Sequence, residues 1–404
     1  MVIRRKRAVE SVRLPSWTIM VFMVDGPELG PSLDRDLLEL DRAGSSDEVN
    51  VVVAIQSGRA KTRFIEIQPR VDGARGPRRR VLGRAKARDV TASLREFLAF
   101  VAEHRPARQY ALILWGHASG FGFGRIGPES EEDLVQLGQL RELIWQFRKT
   151  REEKQKLEIL GFCACALSKA EFALELRDDV DFLVASQVAI STLMTWPFDR
   201  IVQRALMSPA VPPQTFASQI VQSFEELYEP PPVALTALNL TGSEPLKEQI
   251  DDVAEAILKA LGARGPSGRL NNLLVLQAFK DALTAYPFNL ESLVDFFDFC
   301  VRLVEQDGLA EPVRHVARSV LNEGVQAFVA RNARSGPKLA ALNGLSILAP
   351  DFDDPNWLET SKTLLAETNT TNKAWLYKTT RWVEMTRKVY QFATTDAALQ
   401  QGQG

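Results

Sequence analysis

The chain has 404 residues, 45% of them hydrophobic and 25% charged, which excludes extended disorder and supplies enough apolar mass for a full core. Lys and Arg number 49 against 51 Asp and Glu, a formal net charge of −2, so no global field drives it onto nucleic acid or a membrane surface. At this length one α/β core plus a second, attached region is expected rather than a single sheet.

Residues 1–16 read as an N-terminal extension. It is basic, but Arg4, Lys6, Arg7, Glu10 and Arg13 leave no unbroken apolar stretch of the kind a secretory signal has. No later apolar run approaches the roughly 20 residues that span a bilayer. Cys163, Cys165 and Cys300 are the only cysteines, an odd and sparse set that fits a reducing compartment; a cytoplasmic location is expected.

The run Trp17 to Val24 is apolar and partly β-branched and stops at the turn signal Asp25-Gly26-Pro27, so it reads as a buried strand. Apolar positions from Leu33 to Leu40 recur at helical spacing, and Val51 to Ile55 is a second buried strand. Strand, helix, strand implies a parallel pair with a right-handed crossover. Arg63 to Ile67 alternates like a half-exposed strand. Pro69 to Arg88, rich in Gly, Pro and Arg, reads as a solvated loop; no aromatic residue is interleaved there to stack on bases.

A helix over Thr91 to Arg105 leads into a strand, Tyr110 to Trp115, that stops at Gly116-His117. After a glycine-rich loop and a helix around Leu134 to Phe147, the strand Leu157 to Phe162 stops at Cys163-Ala164-Cys165. Ala170 to Asp178 is helical and Phe182 to Ser186 is a fifth strand. This alternation predicts an α/β sheet covered on both faces over residues 17–210. Residues 211–404 read as a mainly helical region, with a strand at Val233 to Leu240, helices from about 245 to 335, and a late strand at Gly344 to Leu348.

In open α/β sheets ligands gather beyond the carboxyl ends of the strands, which is where His117 and Cys165 fall. A thiol attacks a carbonyl well only as thiolate, and a neighbouring imidazole can take its proton. Backbone N–H groups after His117 and at Cys165 lie on tight turns suited to an oxyanion. Other readings exist. Each residue alone fits a turn or core role; zinc would require four ligands, and His104 and His315 have no ligand spacing; Gly120 to Gly124 lacks the spacing of a dinucleotide-binding turn.

The segments Tyr110 to Gly120 and Leu160 to Cys165 resemble the His-Gly-Ser-Gly and Gly-Phe-Asp-Ala-Cys motifs of the clostripain family of cysteine peptidases. Trp17 to Met23, Leu183 to Ser186, Trp196 to Asp199 and Gly344 to Ile347 resemble further family segments, so the similarity spans nearly the whole chain. The resemblance implies a caspase-like, mostly parallel sheet flanked by helices, and endopeptidase action after Arg or Lys. It implies His117 as general base, Cys165 as nucleophile, and the Ala118 and Cys165 backbone amides as oxyanion donors. Cys163, Ser186 and Trp196 become expected substrate-binding positions.

Two departures stand out: Cys163 occupies the place of an aspartate that receives the substrate's basic side chain, and Ala118 that of a glycine. Gln187 to Thr195 also lacks acidic residues. A non-basic P1 preference, or a pseudo-protease serving as a binding scaffold, are therefore the alternatives. Family analogy further implies a zymogen, with cleavage near Arg125 in the loop between the two motifs. It places the protein in regulated bacterial proteolysis, defence against viruses or cell death, with an activating protease or an inhibitor protein as partner. Some relatives use calcium, but no EF-hand-like run occurs here.

Overall fold

The computed structural model describes residues 13–401 apart from Pro27, Arg59, 71–75, Pro77, Arg125, 127–133, Thr192, 229–233, 288–291, 360–361 and 363–374. In chain order the strands are β1 (Trp17–Asp25), β2 (Val49–Ser57), β3 (Arg63–Ile67), β4 (Arg79–Arg84), β5 (Gln109–Trp115), β6 (Ala118–Ser119), β7 (Gly122–Phe123), β8 (Val135–Gln136), β9 (Leu157–Cys163), β10 (Val180–Ala185), β11 (Ala234–Asn239), β12 (Leu293–Asp295), β13 (Val329–Arg334) and β14 (Ser346–Leu348). Helices α1 (Gly30–Ala43), α2 (Val90–His104), α3 (Leu137–Lys149), α4 (Ala170–Leu176), α5 (Phe198–Met207) and α6 (Pro213–Tyr228) serve the first half of the chain.

Nine strands form one sheet in the order β13-β11-β10-β9-β5-β1-β2-β3-β4. The five central strands, from β10 to β2, run parallel, and the outer ones are antiparallel to their inner neighbours. The continuous apolar runs follow from burial on both faces. Along β1, Ile19, Val21 and Met23 enter one core with α1, α5 and α6, while Met20, Phe22 and Val24 enter the other. That second core also holds Phe296, Phe299 and Trp382, so helices of the C-terminal region cover the same sheet face as α2, α3 and α4.

Three segments differ from the sequence reading. The Pro69 to Arg88 stretch contains the edge strand β4, where a run of arginines both pairs with β3 and keeps the outer edge charged. The helical span from 245 to 335 is interrupted by β12 and ends in β13, a polar strand whose pairing to β11 only the sheet edge makes favourable. The late strand, β14, pairs with β12 in a separate two-stranded sheet.

Candidate active site

Strands β5 and β9 are neighbours, and their register pairs Trp115 with Cys163. His117 and Cys165 each lie two residues beyond that pair, so the two strands deliver both side chains to the same level past the sheet. Gly116 sits between, donating its N–H to the Cys163 carbonyl at 3.3 Å. Its φ of +149° and the Val24 carbonyl, which a Cβ there would meet at 2.9 Å, explain why the residue before His117 is glycine.

Both candidate residues line one small open cleft, about 340 Å³ including its mouth, with Leu29, Trp115, Cys163, Ile190, Met194 and Thr195 among its walls. Cys165 is half-buried and its Sγ receives the Ile190 N–H at 3.4 Å, with the Ile190 carbonyl 3.6 Å away. The chain turns sharply after it: Ala166 takes φ +48°, a strained value for a residue with a Cβ, and donates its N–H to the Val188 carbonyl. Ala118, in contrast, has no positive φ, so alanine replaces glycine there without backbone strain.

Cys163 behaves differently from Cys165. It is buried, its Sγ accepts the Trp196 N–H at 3.4 Å, and burial followed by the nearby Asp36 carboxylate pushes its thiol well above the ordinary range. It is therefore held as a neutral thiol in the cleft wall. Trp196 is fully buried, its ring lying where a Cβ on Gly161 would be 2.6 Å from it. The Ser186 hydroxyl is also buried, donating to the Val188 carbonyl at 2.9 Å. Neither Ser186 nor Trp196 is among the cleft-lining residues; Arg125 lies outside the described residues.

Behind the cleft is a buried group that the sequence reading passed over. Asp36 of α1 accepts hydrogen bonds from Trp115 Nε1 and Thr195 Oγ1, both at 2.7 Å, and from Arg35 Nε at 3.2 Å. Arg35 also donates to the Leu193 carbonyl at 3.1 Å and to Thr195 Oγ1. Burial pushes the Asp36 carboxyl up, against the opposing pull of these donors. A signal was present: Asp36 stands at i+3 from Leu33 and i−4 from Leu40, on the buried face of the helix.

Glu39, one turn further along α1, accepts the first free N–H of α5, from Phe198, at 2.9 Å. Burial, then the like charges of Asp199 and Asp36, push its pKa up to about 7. Because the folded value exceeds the usual 4.5, the folded state binds more protons than the unfolded chain between those pH values. Stability from this group is thus complete below pH 4.5 and lost as pH rises through about 7. The shift discounts to about 2 kcal/mol for a carboxyl that keeps some solvent contact. Glu39→Gln, which retains the acceptor, is expected to unfold at higher denaturant than wild type at pH 8 and to lose that advantage at pH 4.5.

Among the described residues no group of three or more His, Cys, Asp or Glu side chains is placed to hold a metal. No helix among them is long and apolar enough to cross a membrane.

The profile of the clostripain family matches residues 32–311, which include both candidate residues. Among solved structures, an inactive zymogen C11 protease from Parabacteroides distasonis is similar at TM-score 0.62 and 16% identity, covering 88% of this chain and 98% of that one. A secreted C11 cysteine protease from Bacteroides thetaiotaomicron, in complex with an irreversible peptide inhibitor, is similar at TM-score 0.61 and 14% identity, over 89% and 99%. At these identities the likeness shows a shared fold. No curated protein matches the chain. With the family profile covering more than half of its length, the chain belongs to the clostripain family and is one of its cysteine peptidases.

Proposed function

We propose that this peptidase is an endopeptidase that opens peptide bonds with Cys165 as nucleophile and His117 as general base. The observation that carries this is the β5–β9 register, which sets the two residues at equal distance beyond the Trp115–Cys163 pair and in one cleft. His117 takes the thiol proton, Cys165 attacks the carbonyl carbon, and the proton passes to the leaving amine. The backbone N–H groups at Ala118 and Cys165 hold the oxyanion, and water then hydrolyses the thioester.

Cleavage after Arg or Lys is the preference the family resemblance carries. A specific observation favours the competing reading, an uncharged P1 side chain. No carboxylate is among the described residues lining the cleft, and one that lies behind it, Asp36, is enclosed and already engaged by Arg35, Thr195 and Trp115. An incoming guanidinium would lose water without gaining an ion pair.

The Parabacteroides relative is described as an inactive zymogen, and restraint by a precursor state, with release by cleavage near Arg125, fits a peptidase that works inside a cell in defence or cell death. All three cysteines are free thiols, which fits a reducing compartment. A fluorogenic peptide panel varied at P1, read before and after limited proteolysis, tests both readings. Cleavage after small or apolar residues supports the uncharged preference, cleavage after Arg or Lys the basic one. Silence from intact and processed forms would overturn the endopeptidase assignment.

A further inference from the structure

His117 is followed by a miniature hairpin. Strands β6, β7 and β8 have two residues each, and a sheet of that size is not stable by itself. Its position must come from outside contacts. Gly124 N–H ties the hairpin to the His117 carbonyl at 2.9 Å, and Leu137 N–H at the start of α3 reaches the Phe121 carbonyl at 2.9 Å.

A third tether comes from the segment that carries Cys165. Lys169, four residues further on, is only 1% exposed, and its Nζ donates to the Gly120 carbonyl at 2.7 Å at the tip of the hairpin. The same ammonium lies 5.2 Å from the centre of the Phe121 ring, which stacks on Phe172, one turn along α4 from Lys169. The lysine backbone is itself held, since its carbonyl accepts from Ala173 and it bridges in parallel to Ser346 of β14. A lysine is rarely buried to this degree, because its charge is costly to take out of water. Here it spans from an anchored helix start to the tip of the hairpin.

Resting on the reading of His117 and Cys165 as the reacting pair, we propose that Lys169 is a positioning residue: its ammonium locks the His117 hairpin against the Cys165 segment and so sets the distance between imidazole and thiol. Misplacement of a base by about 1 Å lowers rate on the order of a hundredfold, so loss of this tether is expected to act on turnover rather than on substrate affinity.

The test uses the full chain with Lys169→Met, Lys169→Gln, Lys169→Arg and His117→Ala. Two quantities are read: the rate at which iodoacetamide alkylates Cys165 at pH 7, by peptide mass spectrometry, and kcat and KM on a cleaved peptide. Lys169→Met is expected to lower both alkylation rate and kcat about tenfold with KM within about twofold. Lys169→Arg, which keeps a charged donor, is expected to recover most of the loss. If Lys169→Met does not fold, Lys169→Gln carries the same comparison.

Alkylation and kcat at wild-type level in the folded variants would overturn the proposal. So would loss of the cooperative thermal transition in all three lysine variants, which would assign Lys169 to the fold. His117→Ala alkylating at the wild-type rate would instead refute the pairing of imidazole and thiol on which the proposal rests.

Discussion

Replacing Cys165 by alanine is expected to reduce peptide hydrolysis to background, and replacing His117 by alanine to lower kcat/KM by on the order of a thousandfold, while Cys163→Ala keeps most of the activity. The three outcomes differ for a physical reason. Cys165 is half-buried, lines the cleft and so is open to a substrate carbonyl, with the Ile190 backbone holding its sulfur in place. Cys163, the last residue of β9 and two before Cys165, is enclosed, and burial raises its pKa, so it stays protonated and unreactive. Peptide cleavage by the purified variants, with thermal unfolding to show that each is folded, is the measurement. Activity that survives Cys165→Ala and vanishes in Cys163→Ala would reverse the assignment.

Cys163→Asp is expected to move P1 preference toward Arg and Lys by at least about tenfold relative to small apolar residues. The new carboxylate would stand in the cleft wall with the Trp196 N–H available to it, in place of the sulfur that now accepts that bond. It would also lie near the buried Asp36, so the free enzyme pays in stability, by about 1–3 kcal/mol. A bound basic side chain relieves that repulsion, and a peptide ligand ending in Arg should therefore raise the variant's melting temperature more than the wild type's. Ratios of kcat/KM across the P1 panel decide it. An unchanged ratio would mean that this cleft does not receive the P1 side chain.

Much of the site is legible in the chain itself. Two apolar strands ending in His117 and Cys165, separated by a helix, already point to neighbouring parallel strands, because a crossover of that length returns to the adjacent position with a fixed hand. The register between Trp115 and Cys163 bears this out. The burial of β1 on both faces likewise follows from an unbroken apolar run, which is stable only when both faces are covered.

Other features depend on distance in space. Asp36 shares the apolar face of α1 with Leu33 and Leu40, but its role as a buried anchor arises only because Trp115 and Thr195, from distant segments, converge on it. Lys169 reads as a surface residue at a helix start until the hairpin after His117 closes over it. The edge strand β4 and the pairing of β14 with β12 are decided by which strand edges remain open, a property of the assembled sheet. The family, the parallel core and the two candidate residues, His117 and Cys165, were legible in the chain, since these rest on local hydrophobic runs and on residues just past strand ends. The polarity of the cleft and what holds its walls come from contacts between distant segments, because the energy of a buried charge depends on partners that no local pattern specifies.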